Sequence, residues 1–210
     1  MTRLFALILA GLLTATALPT RAAESPSSGM STIVEGQVLR GRFVQERFLK
    51  GFQAPLKSEG RFLLAPGRGL VWRAETPFAV TTVMSPAGLL QEVRGAETMR
   101  LPAGRLPFMS KLYTMLGGAL TGDWKALESA FAVTREGDAK AWRLILTPLK
   151  AEDPTTPIRE IRVKGGRFVE EVEVVKPDGD RDRLIFLDQS LSTEPPAGED
   201  AQSLSAAGRL

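Results

Sequence analysis

Two runs of residues decide the fold: Ser58-Glu59-Gly60-Arg61-Phe62-Leu63-Leu64, and Leu70-Val71-Trp72-Arg73 after the linking segment Pro66-Gly67-Arg68-Gly69. In the first run, apolar side chains alternate with Arg61, as they do on a half-buried strand. Proline and glycine in the linking segment are typical of a tight turn. The pattern therefore predicts two antiparallel strands joined by a hairpin.

The same two-residue alternation continues on both sides of this hairpin. Upstream, Leu39, Gly41 and Phe43 share one face of a predicted strand. Downstream, short apolar runs are separated by turn-forming pairs such as Gly165-Gly166 and Asp178-Gly179, the second of which is the strongest hairpin signal in the chain. Counting these runs gives about ten strands. The chain is therefore predicted to be mainly β.

Helical periodicity is confined to a few segments. A weak pattern covers Ser31 to Val38, and a stronger one runs from Pro107 to about Leu120, with proline suited to the first helical position. A sheet of this size has to cover an apolar face, and the stronger helix is the natural cover. We therefore predict an α+β chain whose apolar residues form either an ordinary core or the lining of a cavity under a helical lid.

Composition excludes many kinds of chemistry. The 210 residues include no Cys and no His, which removes disulfides, thiolate and imidazole metal ligands, Cys nucleophiles and His general bases. The carboxylates of Glu170, Glu171 and Glu173 suit a hard cation or acid–base chemistry, but Arg167 and Lys176 flank them, so we expect a solvated face paired with neighbouring bases. We predict no catalytic residue, no metal site and no cofactor.

The ends of the chain differ from its middle. Residues 1–22 predict a secretory signal peptide, because a positively charged start precedes an apolar run too short to span a bilayer. A Ser/Pro-rich linker follows at residues 23–30. Residues 191–210 carry few bulky apolar side chains and are predicted to be a disordered tail. One domain remains between them, over residues 31–190.

Several short motifs follow one another along this domain. They are, in order, Gly41-Arg42-Phe43-Val44-Gln45, Ser58-Glu59-Gly60-Arg61-Phe62-Leu63-Leu64, Pro66-Gly67-Arg68-Gly69-Leu70-Val71-Trp72, Pro77, Pro107-Phe108-Met109, Trp142-Arg143-Leu144-Ile145-Leu146-Thr147-Pro148 and Asp178-Gly179-Asp180. Their order and spacing resemble those of the LolA family of periplasmic lipoprotein carriers, over about Ile33 to Leu187. Some features, among them Gly67-Arg68-Gly69, resemble a divergent branch of that family more than its main carriers.

The resemblance implies an unclosed half-barrel of antiparallel strands with a helical lid over an apolar cavity. The candidate cavity-lining residues are Phe43, Phe62, Leu64, Leu70, Trp72, Phe78, Val80, Phe108, Met109, Leu112, Met115 and Leu116. One departure concerns the arginine that, in the best-known carriers, precedes the proline of the strand turn and ties the lid shut. That position holds Ala65 or Pro66 here, and Arg68 replaces the arginine only if the turn is remodelled.

The function implied by the resemblance is a non-enzymatic carrier in the periplasm of a Gram-negative bacterium. It would take the acyl chains of lipoproteins, or another lipid, from an inner-membrane exporter and deliver them to an outer-membrane acceptor, as a monomer. Two alternatives remain open: a regulatory module that senses lipids or lipoproteins, and a periplasmic hydrolase.

A basic edge is predicted from Arg40, Arg42, Arg47 and Lys50. It serves either to dock an exporter or anionic lipid head groups, or to protect an exposed strand by charge. Two of the 27 basic residues and none of the 24 acidic ones lie in the signal segment, so the rest of the chain is nearly neutral. Because nucleic-acid binders concentrate a basic excess on one face, no nucleic-acid partner is predicted.

Overall fold

A computed structural model describes residues 33–105, 128, 130–138, 140–150 and 158–208. The elements lying within these ranges are eleven strands, a short 3-10 helix and one α-helix, α1. The strands are β1 Val38–Phe48, β2 Leu56–Ala65, β3 Gly69–Thr76, β4 Val80–Ser85, β5 Gly88–Val93, β6 Ala96–Pro102, β7 Phe131–Gly137, β8 Trp142–Pro148, β9 Glu160–Gly165, β10 Val169–Val175 and β11 Arg181–Ser192. The 3-10 helix is Ala103–Arg105, and α1 is Gly198–Ala207.

All eleven strands belong to one antiparallel sheet, in the order β6-β5-β4-β3-β2-β1-β11-β10-β9-β8-β7. Strands β1 to β6 follow one another from the centre of the sheet to one edge. Strands β7 to β11 follow one another from the opposite edge to the centre, where β11 pairs with β1. The edge strands β6 and β7 are not neighbours in this order, so the described sheet is unclosed. The predicted mainly β, unclosed antiparallel architecture is confirmed, with one strand more than predicted.

The turn predicted around Pro66 is present. The backbone N–H of Arg68 donates to the carbonyl oxygen of Ala65 at 3.0 Å, which closes the β2–β3 hairpin. Gly67 adopts φ +73°, the left-handed conformation that a type II turn requires at this position. The β10–β11 hairpin is built similarly, with Gly179 at φ +95°. Local residue chemistry therefore fixes both hairpins.

The helix predicted over Ser31 to Val38 is wrong for the described residues 33–38. The backbone N–H of Gln37 donates to the carbonyl oxygen of Val34 at 3.1 Å in a single turn. Gly36 lies at φ +82°, outside the helical region, and β1 begins at Val38. The weak apolar periodicity does not outweigh the backbone freedom of this glycine. The helix predicted from Pro107 lies outside the described residues.

The two faces of the sheet carry separate apolar clusters, because side chains alternate along each strand. We call one the aromatic face; its buried members are Ile33, Leu39, Phe43, Phe62, Leu64, Leu70, Met84, Leu89, Phe131, Trp142, Leu144, Leu146, Ile158, Ile161, Val163, Val169, Val172 and Phe186. The other is the helix face, where Val38, Leu63, Ala65, Val71, Val83 and Leu90 lie with Leu204 and Ala207 of α1.

The prediction of a disordered tail over residues 191–210 is corrected by the structure. Strand β11 continues to Ser192, and α1 packs on β3, β4 and β5. Leu204 and Ala207 are buried, and the guanidinium of Arg100 donates to the carbonyl oxygen of Ala206 at 3.1 Å. Low apolar content predicts disorder only when no partner surface exists, and here the helix face supplies one. Neither α1 nor any other helix in the described ranges is long and apolar enough to cross a membrane.

Replacing Leu204 by alanine should lower the free energy of unfolding by about 2 kcal/mol or more, since it deletes a buried leucine side chain. The matched control is Ser205→Ala, at the next, exposed position of α1. Urea unfolding followed by circular dichroism measures both variants. Equal stability of the two would contradict docking of α1 on the sheet.

Candidate functional site

Four aromatic side chains from four neighbouring strands meet on the aromatic face. Phe43 stacks on Trp72 with ring centroids 3.8 Å apart and an interplanar angle of 25°. Phe62 lies 5.3 Å from Phe186, edge to face, and Trp72 meets Phe186 at 6.1 Å and 84°. Such stacked and edge-to-face pairs add about 0.5–1.5 kcal/mol each beyond the burial of area. The cluster joins β2 and β3 to the central pair β1 and β11.

A glycine lies opposite an aromatic residue on each of the strands β1 and β2. Gly41 of β1 lies opposite Phe62, and a Cβ at Gly41 would meet the Phe62 ring at 2.7 Å. Gly60 of β2 lies opposite Phe43, and a Cβ there would fall 1.8 Å from the carbonyl oxygen of Arg73. Gly41 therefore leaves room for the Phe62 ring, whereas Gly60 lets the backbones of β2 and β3 approach closely.

The structure brings most of the described candidate residues together. Phe43, Phe62, Leu64 and Leu70 are at most 3% exposed and belong to one cluster, with Trp72 packed against it. Val80 is half-buried on β4.

Phe78 does not join them. It is 65% exposed in the β3–β4 connection, before the alternation of β4 begins at Val80. The candidates Phe108, Met109, Leu112, Met115 and Leu116 lie outside the described residues.

Sequence reasoning missed the contribution of the second half of the chain. Phe186 completes the ring cluster, and Trp142, Leu144 and Leu146 of β8 extend the same apolar face. The alternation on β8 was readable from the sequence. Phe186 stands in the continuous apolar run Leu184-Ile185-Phe186-Leu187, which shows no two-residue alternation, so no local signal assigns it to this face.

The lid-locking role considered for Arg68 stays a prediction. Arg68 is exposed in an ordinary tight turn whose backbone hydrogen bond is intact. The helix that this arginine would contact lies outside the described residues.

The acidic cluster forms the ion-paired face that was predicted. Glu171 accepts from Arg183 at 2.8 Å and pairs with Lys164 at 3.0 Å, and Glu173 pairs with Arg162 at 3.1 Å. Partial burial disfavours the ionised form of Glu171, but the hydrogen bonds from Arg183 and Lys164 outweigh it and lower its pKa. Among the described residues, no three Asp or Glu side chains converge to hold a metal ion.

The described sheet is antiparallel and unclosed, and one of its faces carries a continuous apolar cluster. The family model described as "Outer membrane lipoprotein carrier protein LolA-like" matches residues 30–194. The chain therefore belongs to the LolA-like family, as its motifs predicted.

Solved structures with a similar arrangement share little sequence with this chain. A LolA superfamily protein from Nitrosomonas europaea is 10% identical, with 81% of this chain and 91% of that one covered and a TM-score of 0.39. A domain named for outer membrane lipoprotein sorting, from Vibrio parahaemolyticus, is 10% identical, with 80% of this chain and 90% of that one covered and a TM-score of 0.38. MucB, solved in complex with MucA, is 16% identical, with 78% of this chain and 55% of that one covered and a TM-score of 0.34. No curated protein sequence matches the chain.

Proposed function

We propose that the protein is a non-enzymatic periplasmic carrier that binds the acyl chains of lipoproteins, or of another lipid, on its aromatic face. The observation that carries this proposal is the continuity of the apolar surface. It extends from Leu89 on β5, through the four rings, to Phe131 on β7. Membership of the LolA-like family supports the same class of cargo, because the family is named after carriers of outer membrane lipoproteins.

An acyl chain needs no directional contact in such a site. Each methylene that leaves water is worth roughly 0.8 kcal/mol, so a long chain is held strongly by burial alone. Transfer then requires no chemistry. The cargo moves from an inner-membrane exporter to this carrier and on to an outer-membrane acceptor when each binds the chain more tightly than the one before.

Cargo entry has to uncover the aromatic face. Phe43 and Leu64 are each 1% exposed, so an acyl chain reaches them only after neighbouring residues move aside. The helical lid predicted from Pro107 lies outside the described residues.

The direct experiment is to purify the mature protein gently from periplasm and identify bound species by native mass spectrometry and organic extraction. We expect a reproducible acyl-bearing molecule at up to one per protein. Protein that is empty, and that also fails to take up a fluorescent fatty acid, would overturn the carrier proposal.

A pair of adjacent substitutions tests which face binds the cargo. Leu64→Gln places an amide on the aromatic face, whereas Leu63→Gln places the same group on the helix face, and both leucines are at most 3% exposed. Burying an unpaired amide costs about 1–3 kcal/mol at either position. We expect only Leu64→Gln to weaken binding of the fluorescent fatty acid, by about tenfold or more.

Equal losses in the two variants would contradict binding on the aromatic face. If either variant fails to fold, Trp72→Gln replaces a half-buried side chain on the same face at lower cost to folding. Its matched control is Trp72→Phe, which keeps an aromatic ring. Probe binding should fall in the first and persist in the second.

A further inference from the structure

A small cleft lined by both charged and apolar residues lies on the helix face. It encloses about 300 Å³ between β1, β2 and β3, the β11 strand and the beginning of α1. Four guanidinium groups and two carboxylates line it: Arg40, Arg42, Arg61, Arg73, Asp188 and Asp200. The buried residues Leu63 and Val71 also line it, together with Gly41 and Phe62.

Three of the arginines stand in one row across three strands. Arg42 lies opposite Arg61, and Arg61 lies opposite Arg73. Like charges placed directly opposite destabilise a sheet unless counter-charges offset them. Asp200 pairs with Arg73 at 3.1 Å, and Glu75 pairs with Arg61 at 3.2 Å. Arg42, at the third position of the row, forms no salt bridge with a residue that the structure describes.

Two of the lining arginines, Arg40 and Arg42, form no salt bridge with a described residue. Arg40 donates to the hydroxyl of Ser192 at 2.8 Å and to the carbonyl oxygens of Glu194 and Pro195, all of them neutral acceptors. Those bonds fix the position of Arg40 without neutralising it. Arg42 is exposed, and none of the ion pairs between described residues includes it.

A bulge in β11 supplies one carboxylate to the same cleft. Arg40 pairs with Ser190 and Arg42 with Leu187, so two residues of β11 oppose one residue of β1. One of them, Asp188, adopts φ +51°, a left-handed conformation that costs free energy outside glycine. Bulges re-aim side chains, and this one brings an aspartate with no ion pair to described residues into the cleft.

We propose that this cleft binds a phosphate ester that also carries an ammonium group, of the phosphoethanolamine type. The phosphate oxygens match the exposed guanidinium group of Arg42, since a planar guanidinium fork binds phosphate through paired hydrogen bonds, and the fixed positive charge of Arg40 adds attraction. The ammonium group matches Asp188. A volume of about 300 Å³ is at the small end of ligand sites, which suits a head group rather than an acyl chain.

The test uses the full mature protein with two probes. Isothermal titration calorimetry at low salt measures binding of soluble O-phosphoethanolamine against inorganic phosphate. Co-sedimentation measures binding to phosphatidylcholine vesicles with and without phosphatidylethanolamine. Arg42→Gln should weaken binding of phosphoethanolamine by about tenfold or more. Asp188→Asn should weaken phosphoethanolamine binding but not phosphate binding.

The matched control is Arg143→Gln, which removes an exposed strand arginine outside the cleft and should leave binding unchanged. Binding of both probes identifies a lipid head group as the ligand, and binding of the soluble probe alone identifies a free phosphate ester. No binding of either probe, or equal losses in Arg42→Gln and Arg143→Gln, would overturn the proposal. Uptake of the fluorescent fatty acid by Arg42→Gln shows an intact fold and tests the carrier function separately.

Discussion

Replacing Gly60 by alanine should destabilise the protein by at least about 3 kcal/mol, at the upper end of overpacking effects. The added Cβ would lie 1.8 Å from the carbonyl oxygen of Arg73 and 2.9 Å from the Cα of Ala74. Both are backbone atoms of the paired strand β3, so no side-chain rotation relieves the clash. The hairpin that carries Phe62 and Trp72 would have to open.

The matched control is Gly104→Ala, because a Cβ at Gly104 meets no atom within 4 Å. Urea unfolding monitored by circular dichroism measures both variants. We expect a large fall in the denaturation midpoint for Gly60→Ala and a small change for Gly104→Ala. Equal midpoints would mean that β2 and β3 are not paired in the register described.

This glycine shows how far the sequence can predict the fold. The alternation around Phe62 and the turn at Pro66-Gly67 specify a hairpin locally, and both are present. The sequence also marks Gly60 as unusual inside a strand. It does not show that Phe43, on another strand, lies opposite that glycine, because cross-strand pairing between β1 and β2 depends on register.

Long-range pairing limited the prediction of the candidate site in the same way. Phe186 joins Phe62 only because β11 returns to pair with β1, which lies far away in the chain. Phe186 also stands in the apolar run Leu184 to Leu187, where no alternation marks which face of the sheet a residue joins. The members of the ring cluster that were predicted, Phe43, Phe62 and Trp72, lie on β1 to β3, where the hairpin and strand signals are local. The ring that was missed comes from a crossover between distant strands.

The C-terminal segment was missed for a different physical reason. Composition predicts disorder when a segment cannot bury enough apolar surface by itself. Helix α1 buries only Leu204 and two small residues, but it adds hydrogen bonds and an ion pair from Arg73 to Asp200 at 3.1 Å. Those contacts exist only because the arginine row on the helix face is already formed. Tertiary contacts therefore stabilise a helix that the sequence of this segment alone does not predict.

Phe43→Ala should lower the free energy of unfolding by about 3–5 kcal/mol, the range for a fully buried phenylalanine. Phe43 is 1% exposed, stacks on Trp72 at 3.8 Å and lies opposite both Gly60 and Phe186 in register. With glycine on one side, no neighbouring Cβ can fill the space that the ring leaves. The cavity would therefore persist instead of collapsing.

The control is Phe52→Ala, which removes a phenylalanine that is 64% exposed and should change stability by no more than about 0.5 kcal/mol. Urea unfolding measures both, and near-ultraviolet circular dichroism reports whether the packing around Trp72 is lost in Phe43→Ala. If an acyl chain occupies the aromatic face, a saturating fatty acid should also raise the unfolding midpoint of the wild type, because ligand binding to the folded state stabilises it. Phe43→Ala should show a smaller rise. Equal stability of Phe43→Ala and Phe52→Ala would contradict the ring cluster, whereas an equal rise with fatty acid in wild type and Phe43→Ala would place the cargo elsewhere.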